Sequence, residues 1–286
     1  MKLITPVSID ALPFTVTPGN RIMILGSCFA DSVGARMAAA GFDVCINPFG
    51  TLYNPASTAA AVGRLVSGRK FTSDECVEMG AGAGKICSFS HHTSFARGSA
   101  EEFLENANAS LSEAAAFWEA CDTVIVTLGT AMVWRHQPGG RVVSNCLKRP
   151  AGEFTHSMLS VAEVTGFIRE ILRSAPGKRF IFTVSPIRHM SQGAHVNTLS
   201  KATLHIGLDE ALKDESTACY FPAFELLCDE MRDYRFYAED LVHPSATAVE
   251  YVWEKFTDAA VPAEFRQWMH ENEKAARQAA HRNILK

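Results

Sequence analysis

The chain has 286 residues, enough to bury one large α/β core. An apolar share of 47% against 20% charged residues is the ordinary balance of a globular protein. A formal charge of −4 with dispersed basic residues disfavours nucleic acid and anionic lipid as partners. The opening residues meet Pro6 and then Asp10 before any apolar signal core forms, and no stretch approaches the roughly 20 apolar residues of a membrane span. Eight cysteines occur without a CxxC pair or clustered Cys/His spacing, so they read as reduced residues of a cytoplasmic protein, with no disulfide frame and no metal site.

Five short runs rich in β-branched and aromatic residues read as buried parallel strands: 21–25, 42–47, 123–128, 179–185 and 218–224. Helical patterns follow at 29–40, 55–67, 155–174, 197–214 and 245–256. Strands alternating with helices imply βαβ units, a parallel sheet covered on both faces, and a flavodoxin-like three-layer α/β/α sandwich with strand order 2-1-3-4-5. Residues 68–118 break the rhythm and read as an insertion or hairpin, with a helical run from about 100 to 120. The Gly80-Ala-Gly-Ala-Gly84 stretch matches no phosphate-loop fingerprint and reads as a loop. Residues 1–261 are expected to form one domain and 262–286 a helical extension, which docks on that domain or on a second copy of the chain.

The first strand ends in Gly26-Ser27-Cys28-Phe29-Ala30, directly before a small-residue helix. Such a turn presents a serine where the backbone N–H groups of the first helical turn point outward and can stabilise an anion. Cys28 beside it allows a thiol-nucleophile reading; a free cysteine behaves as a small hydrophobe, and the core is its expected place.

In open parallel sheets ligands bind beyond the C-terminal strand ends. Those ends carry Gly26-Ser27, Asn47-Pro48-Phe49-Gly50 with Tyr53-Asn54, Gly129-Thr130 with Trp134, and Ser185 with Arg188-His189. Arg188 and Lys201 can hold an anionic part of a substrate, and Trp134, Tyr53 and Phe49 can stack on a sugar ring or pack in the core. His91-His92 lacks acidic or cysteine partners at ligand spacing and reads as pocket wall or surface. Beyond the fifth strand, Asp240 and His243 lie three residues apart, a spacing at which the carboxylate can fix the imidazole tautomer and leave Nε2 as general base.

These residues resemble the GSCFA domain family, named for the pentapeptide at 26–30, within the SGNH (GDSL-like) hydrolase superfamily. The resemblance runs over about residues 20–256 and also rests on Asn47–Gly50, Thr127–Ala131, Thr183–Arg188 and Tyr237–Pro244. It implies Ser27 as nucleophile, Asp240 and His243 as acid and base, and Gly50 as a backbone oxyanion donor. The superfamily's third block normally ends in an asparagine donor, where this chain has Gly129-Thr130-Ala131. Losing one such donor costs about 2.7–4 kcal/mol in a comparable hydrolase, so a substitute is expected from Thr130, Asn145 or Asn47. The implied function is hydrolysis or transfer of O-acyl esters, carbohydrate esters among them, without metal or cofactor. The competing reading is a glycan- or protein-binding module that keeps the fold without catalysis.

Overall fold

The computed structural model describes residues 4–284. In chain order the elements are β1 (Arg21–Gly26), α1 (Cys28–Ala39), β2 (Asp43–Ile46), α2 (Pro55–Ser67), β3 (Val77–Glu78), β4 (Ile86–Cys87), α3 (Ala100–Ala120) and β5 (Thr123–Leu128). There follow β6 (Met132–His136), β7 (Arg141–Val143), β8 (Phe154–Met158), α4 (Val161–Arg173), β9 (Arg179–Val184), α5 (Ala194–Leu212) and β10 (Ala218–Tyr220). The short α6 (Ala223–Glu225) runs into a π-helical turn at Leu226–Met231, and α7 (Ala246–Ala260) and α8 (Arg266–Ile284) close the chain.

The central sheet is parallel, in the order β2-β1-β5-β9-β10, which is the 2-1-3-4-5 order expected for its five strands. Alternation along β1 sends Met23 and Leu25 into one core and Ile22 and Ile24 into the other. The first core is closed by α2, α3, α4 and α5, the second by α1 and α7, giving the three-layer sandwich. Every residue of β5 is buried, the pattern of a strand covered on both faces.

Local chemistry sets the helix starts. Asn54 caps α2 by accepting from Ser57 N at 2.9 Å, with Pro55 in the first helical position. Ser160 and Glu163 form a reciprocal capping box at α4, and Ser245 caps α7. Gly26 is obligatory: its φ is +143°, and a Cβ there would lie 2.2 Å from Thr127 O of β5.

Three expectations are corrected. Residues 154–158 are not the start of a helix but strand β8, which with β6 and β7 forms an antiparallel sheet in the order β7-β6-β8. Within 68–118 only the small β3–β4 hairpin and its loops are inserted; α3 is a layer helix with Phe103, Leu111 and Trp118 in the core. His91 is core rather than pocket wall, fully buried among Phe49, Phe71, Phe95 and Phe103. Helix α8 docks on the domain: Trp268 meets Phe42 edge-on at 5.4 Å, and Trp253 donates to Glu273 at 3.3 Å.

Candidate active site

Strands β1 and β5 are the central neighbours whose connecting helices leave on opposite faces, and the crevice beyond their C-terminal ends is where α/β sheets bind ligands. Ser27 occupies the cap position before α1. It is fully buried, its Cβ lies against Gly129, and its Oγ has no hydrogen-bond partner among the described residues. Cys28 opens α1 half-buried, with Sγ 3.4 Å from His243 Nε2. Ser27 Oγ makes no hydrogen bond to His243 in this structure; the side chain 3.4 Å from Nε2 is Cys28. Ser27 continues the pleat of β1 into the interior, and the next side chain, the first of the helix, reaches the imidazole.

His243 is held from behind. Its Nδ1 lies 2.6 Å from Asp240 Oδ2, and Asp240 Oδ1 accepts from the backbone N–H groups of Val242 and His243, both at 2.9 Å. Those N–H bonds together with the imidazole hold the Asp240 carboxyl down at about 2. Leu241 stands at φ +57° to close this turn, a conformation that non-glycine residues adopt rarely and that the two Asp240 bonds hold in place. Arg188 N donates to Val242 O at 3.2 Å, tying the β9 exit to the same loop.

Burial pushes the Cys28 thiol above its ordinary value, and the Asp31 carboxylate adds to this. The N–H groups of Cys28 and Phe29 and the charge of Lys201 act in the opposite direction. Lys201 is 3% exposed, and its Nζ donates to Gly129 O and Ser185 O, both at 2.6 Å. It fastens the ends of β5 and β9 rather than meeting a substrate anion, and burial lowers its pKa to about 7.

The expected oxyanion donors are mostly occupied. Gly50 N–H is spent on Asn47 O at 2.7 Å, and a Cβ at Gly50 would strike His92. Asn47 accepts from Gly26 N at 2.8 Å and donates to Asp31 at 2.6 Å, so it joins the ends of β1 and β2. Asn145 accepts from Leu147 N and lies off the cavity that holds Cys28. Thr130 does line that cavity, with its hydroxyl 2.9 Å from Ser200 Oγ. Sequence reasoning placed Asn54 at a strand end without giving it a role; it lines the cavity while its Oδ1 caps α2, and no hydrogen bond from its Nδ2 is found among the described residues. The Asn-Pro pair at a helix start was the available signal.

The cavity beside Cys28 measures about 340 Å³. Trp134 of β6 and His156 of β8 stack at 3.9 Å on its antiparallel wall, with Trp134 39% exposed. Phe49 is core, whereas Tyr53 lines the cavity. Arg188 lies at the rim beside the rings of Tyr234 and Tyr237 and has no carboxylate within salt-bridge distance among the described residues. His189 also lines the cavity; burial lowers its pKa to about 4, and its Nε2 is unpartnered. No group of three metal-ligating side chains occurs among the described residues, and no helix there is long and apolar enough to cross a membrane.

Two solved structures are similar to the chain. One is the psychrotrophic esterase EstA from a Pseudoalteromonas species, in a structure inhibited by monoethylphosphonate: 12% identity, TM-score 0.39, 84% of this chain and 96% of that one. The other is the acetyl xylan esterase Est2A from the rumen bacterium Butyrivibrio proteoclasticus: 10% identity, TM-score 0.43, 85% of this chain and 64% of that one. No curated protein sequence matches the chain. The GSCFA family model matches residues 21–256, a span that runs from the first residue of β1 into α7 and so takes in Cys28, Asp240 and His243; the chain belongs to the GSCFA family.

Proposed function

We propose that the chain is a cysteine-dependent hydrolase or acyltransferase of O-acyl esters, small-molecule or carbohydrate, working through a thioester on Cys28. The observation that carries this reading is the 3.4 Å approach of Cys28 Sγ to His243 Nε2, with Asp240 2.6 Å behind the ring. His243 Nε2 takes the thiol proton while Asp240 fixes the tautomer. The thiolate adds to the ester carbonyl carbon. The oxyanion lies at the start of α1, where the N–H groups of Cys28 and Phe29 already face the sulfur, and Asn54 Nδ2 stands in for the absent third-block asparagine. On collapse the C–O bond breaks and the departing alkoxide takes the proton from Nε2. Water or an acceptor alcohol, deprotonated by the same nitrogen, then releases the acyl group and returns the thiol.

The test is intact-protein and peptide mass spectrometry after incubation with p-nitrophenyl acetate, alongside iodoacetamide and fluorophosphonate labelling. The expected result is an acetyl adduct on Cys28, lost in Cys28→Ala and strongly slowed in His243→Ala. An adduct on Ser27 instead would return the mechanism to a serine nucleophile. Absence of any adduct on either residue would leave the non-catalytic binding module as the better reading.

A further inference from the structure

Among the described residues, the cavity that holds Cys28 and His243 is lined by one permanently charged side chain, Arg188, and by no aspartate or glutamate. Burial lowers the pKa of His156, and that of His189 to about 4, so neither of these lining imidazoles adds a charge at neutral pH. Arg188 is also held in place. Its backbone N–H donates to Val242 O at 3.2 Å and its Nη1 to Leu241 O at 3.3 Å. The rings of Tyr234 and Tyr237 flank the guanidinium, each centroid 5.7 Å from Cζ. No other hydrogen bond from the guanidinium, and no carboxylate within salt-bridge distance of it, is found among the described residues. A guanidinium fixed on one side and unfilled on the other is a ready site for a carboxylate, which matches its planar fork.

The antiparallel wall supplies a complementary surface. His156 stacks on Trp134 at 3.9 Å with 17° between the ring planes, and Trp134 remains 39% exposed. A flat aromatic surface backed in this way takes the C–H face of a pyranose ring. Asn197 lines the same cavity and accepts from His189 N at 2.9 Å through Oδ1, while no hydrogen bond from its Nδ2 is found among the described residues; that amide can donate to a sugar hydroxyl. A volume of about 340 Å³ suits a ligand the size of an acylated monosaccharide. We infer that the ester taken at Cys28 is an O-acylated sugar acid, with its ring on Trp134 and its carboxylate on Arg188. This rests on the ester-cleaving reading above and adds to it the substrate class. The bonds made and broken are the same: the acyl group passes from a sugar oxygen to Sγ, and that oxygen leaves with the proton from His243 Nε2. The ring carboxylate stays ionised throughout. Because Arg188 is bonded to Leu241 and Val242, the anion is registered against the same loop that carries the base.

The experiment compares two substrates on the full chain: mono-O-acetyl methyl glucuronoside and the matching glucuronamide, which keeps the shape and loses the charge. Acetate release is expected to favour the uronoside at least about tenfold in kcat/KM. Arg188→Gln should abolish that preference, and Arg188→Lys should keep part of it. Trp134→Ala should weaken both substrates alike and leave the ratio unchanged. If Arg188 only braced the His243 loop, its loss would lower both rates together without moving the ratio. Equal rates in the wild type, or a preference that survives Arg188→Gln, overturn the inference. Titration calorimetry of the wild type with unacylated methyl glucuronoside and methyl glucuronamide reads the same preference without turnover and without a variant that must fold. Tighter binding of the uronoside, with no acetate released from either ester, keeps the anion site and removes the esterase reading. Acetylation of Cys28 by p-nitrophenyl acetate with equal or undetectable binding of both sugars overturns the sugar acid and leaves the esterase reading standing.

Discussion

The two sheets that wall the candidate active-site crevice are built differently. The parallel sheet is buried on both faces, and from its C-terminal edge come Cys28, Gly129 and the Arg188 loop that braces His243. The antiparallel sheet is small and half-exposed, and it contributes Met132, Trp134 and His156 to the opposite side. A rigid element holds the reacting atoms at fixed spacing, while a lighter one shapes what can lie against them. On this view, damage at the parallel edge lowers kcat, and damage on the antiparallel wall changes KM.

The largest expected effect is on the sulfur. Cys28→Ala should lower turnover of an activated ester by a factor on the order of 10³ or more, whereas Ser27→Ala, which removes a buried and unpartnered hydroxyl, should leave turnover close to wild type. The reverse ranking in steady-state assays would break the comparison at its centre. His243→Ala should cost on the order of 10²–10⁴ in kcat. In that variant the thiol has lost its base and its pKa is raised above 9.0 by burial, so alkylation by iodoacetamide should climb only at pH above 9. A curve already saturated at neutral pH would mean the thiol is activated without the histidine.

Lys201 tests the rigidity of the parallel edge. Its pKa is about 7 in the folded chain against an ordinary 10.5, so between those values the unfolded chain binds a proton that the folded one does not. Stability therefore rises with pH through this window, and the burial penalty is constant below it. Relative to Lys201→Met, which lacks the group, the wild type should gain about 3 kcal/mol between roughly pH 7 and 9.5 in denaturant titrations. A flat difference would show the ammonium to be solvated. The smallest effect is expected at Trp134→Ala: KM up by about three- to tenfold with kcat little changed, as for loss of one aromatic contact. A fall in kcat instead would assign the antiparallel wall to the chemistry.

The contrast between the sheets also explains what could be read from the residues alone. Val124–Leu128 and Phe180–Val184 are short apolar runs that fit only a covered strand, and their order in the sheet follows from alternation with helices. Phe154–Met158 alternates buried and exposed positions, but its Thr-His-Ser-Met composition carries little β signal, and the helix that follows masked it. Asp240 and His243 were legible because three residues suffice to bring them together. Which of Ser27 and Cys28 lies nearer the imidazole was not, because it depends on where the pleat of β1 ends and the turn of α1 begins. A shift of one residue there exchanges interior for crevice. The occupation of Gly50 N–H by Asn47 O, and of the Asn47 side chain by Gly26 N and Asp31, was likewise invisible, since it depends on the local turn and on residues of β1 and α1.

The contact of Gly26 with Thr127 O gives the site a mechanical datum. No larger residue fits between the two main chains, so the origin of α1, and with it the sulfur, is referenced to the neighbouring strand instead of to any adjustable side chain. Residue 28 can then exchange one nucleophile for another without moving, because the coordinate belongs to the backbone and only the element at its tip changes.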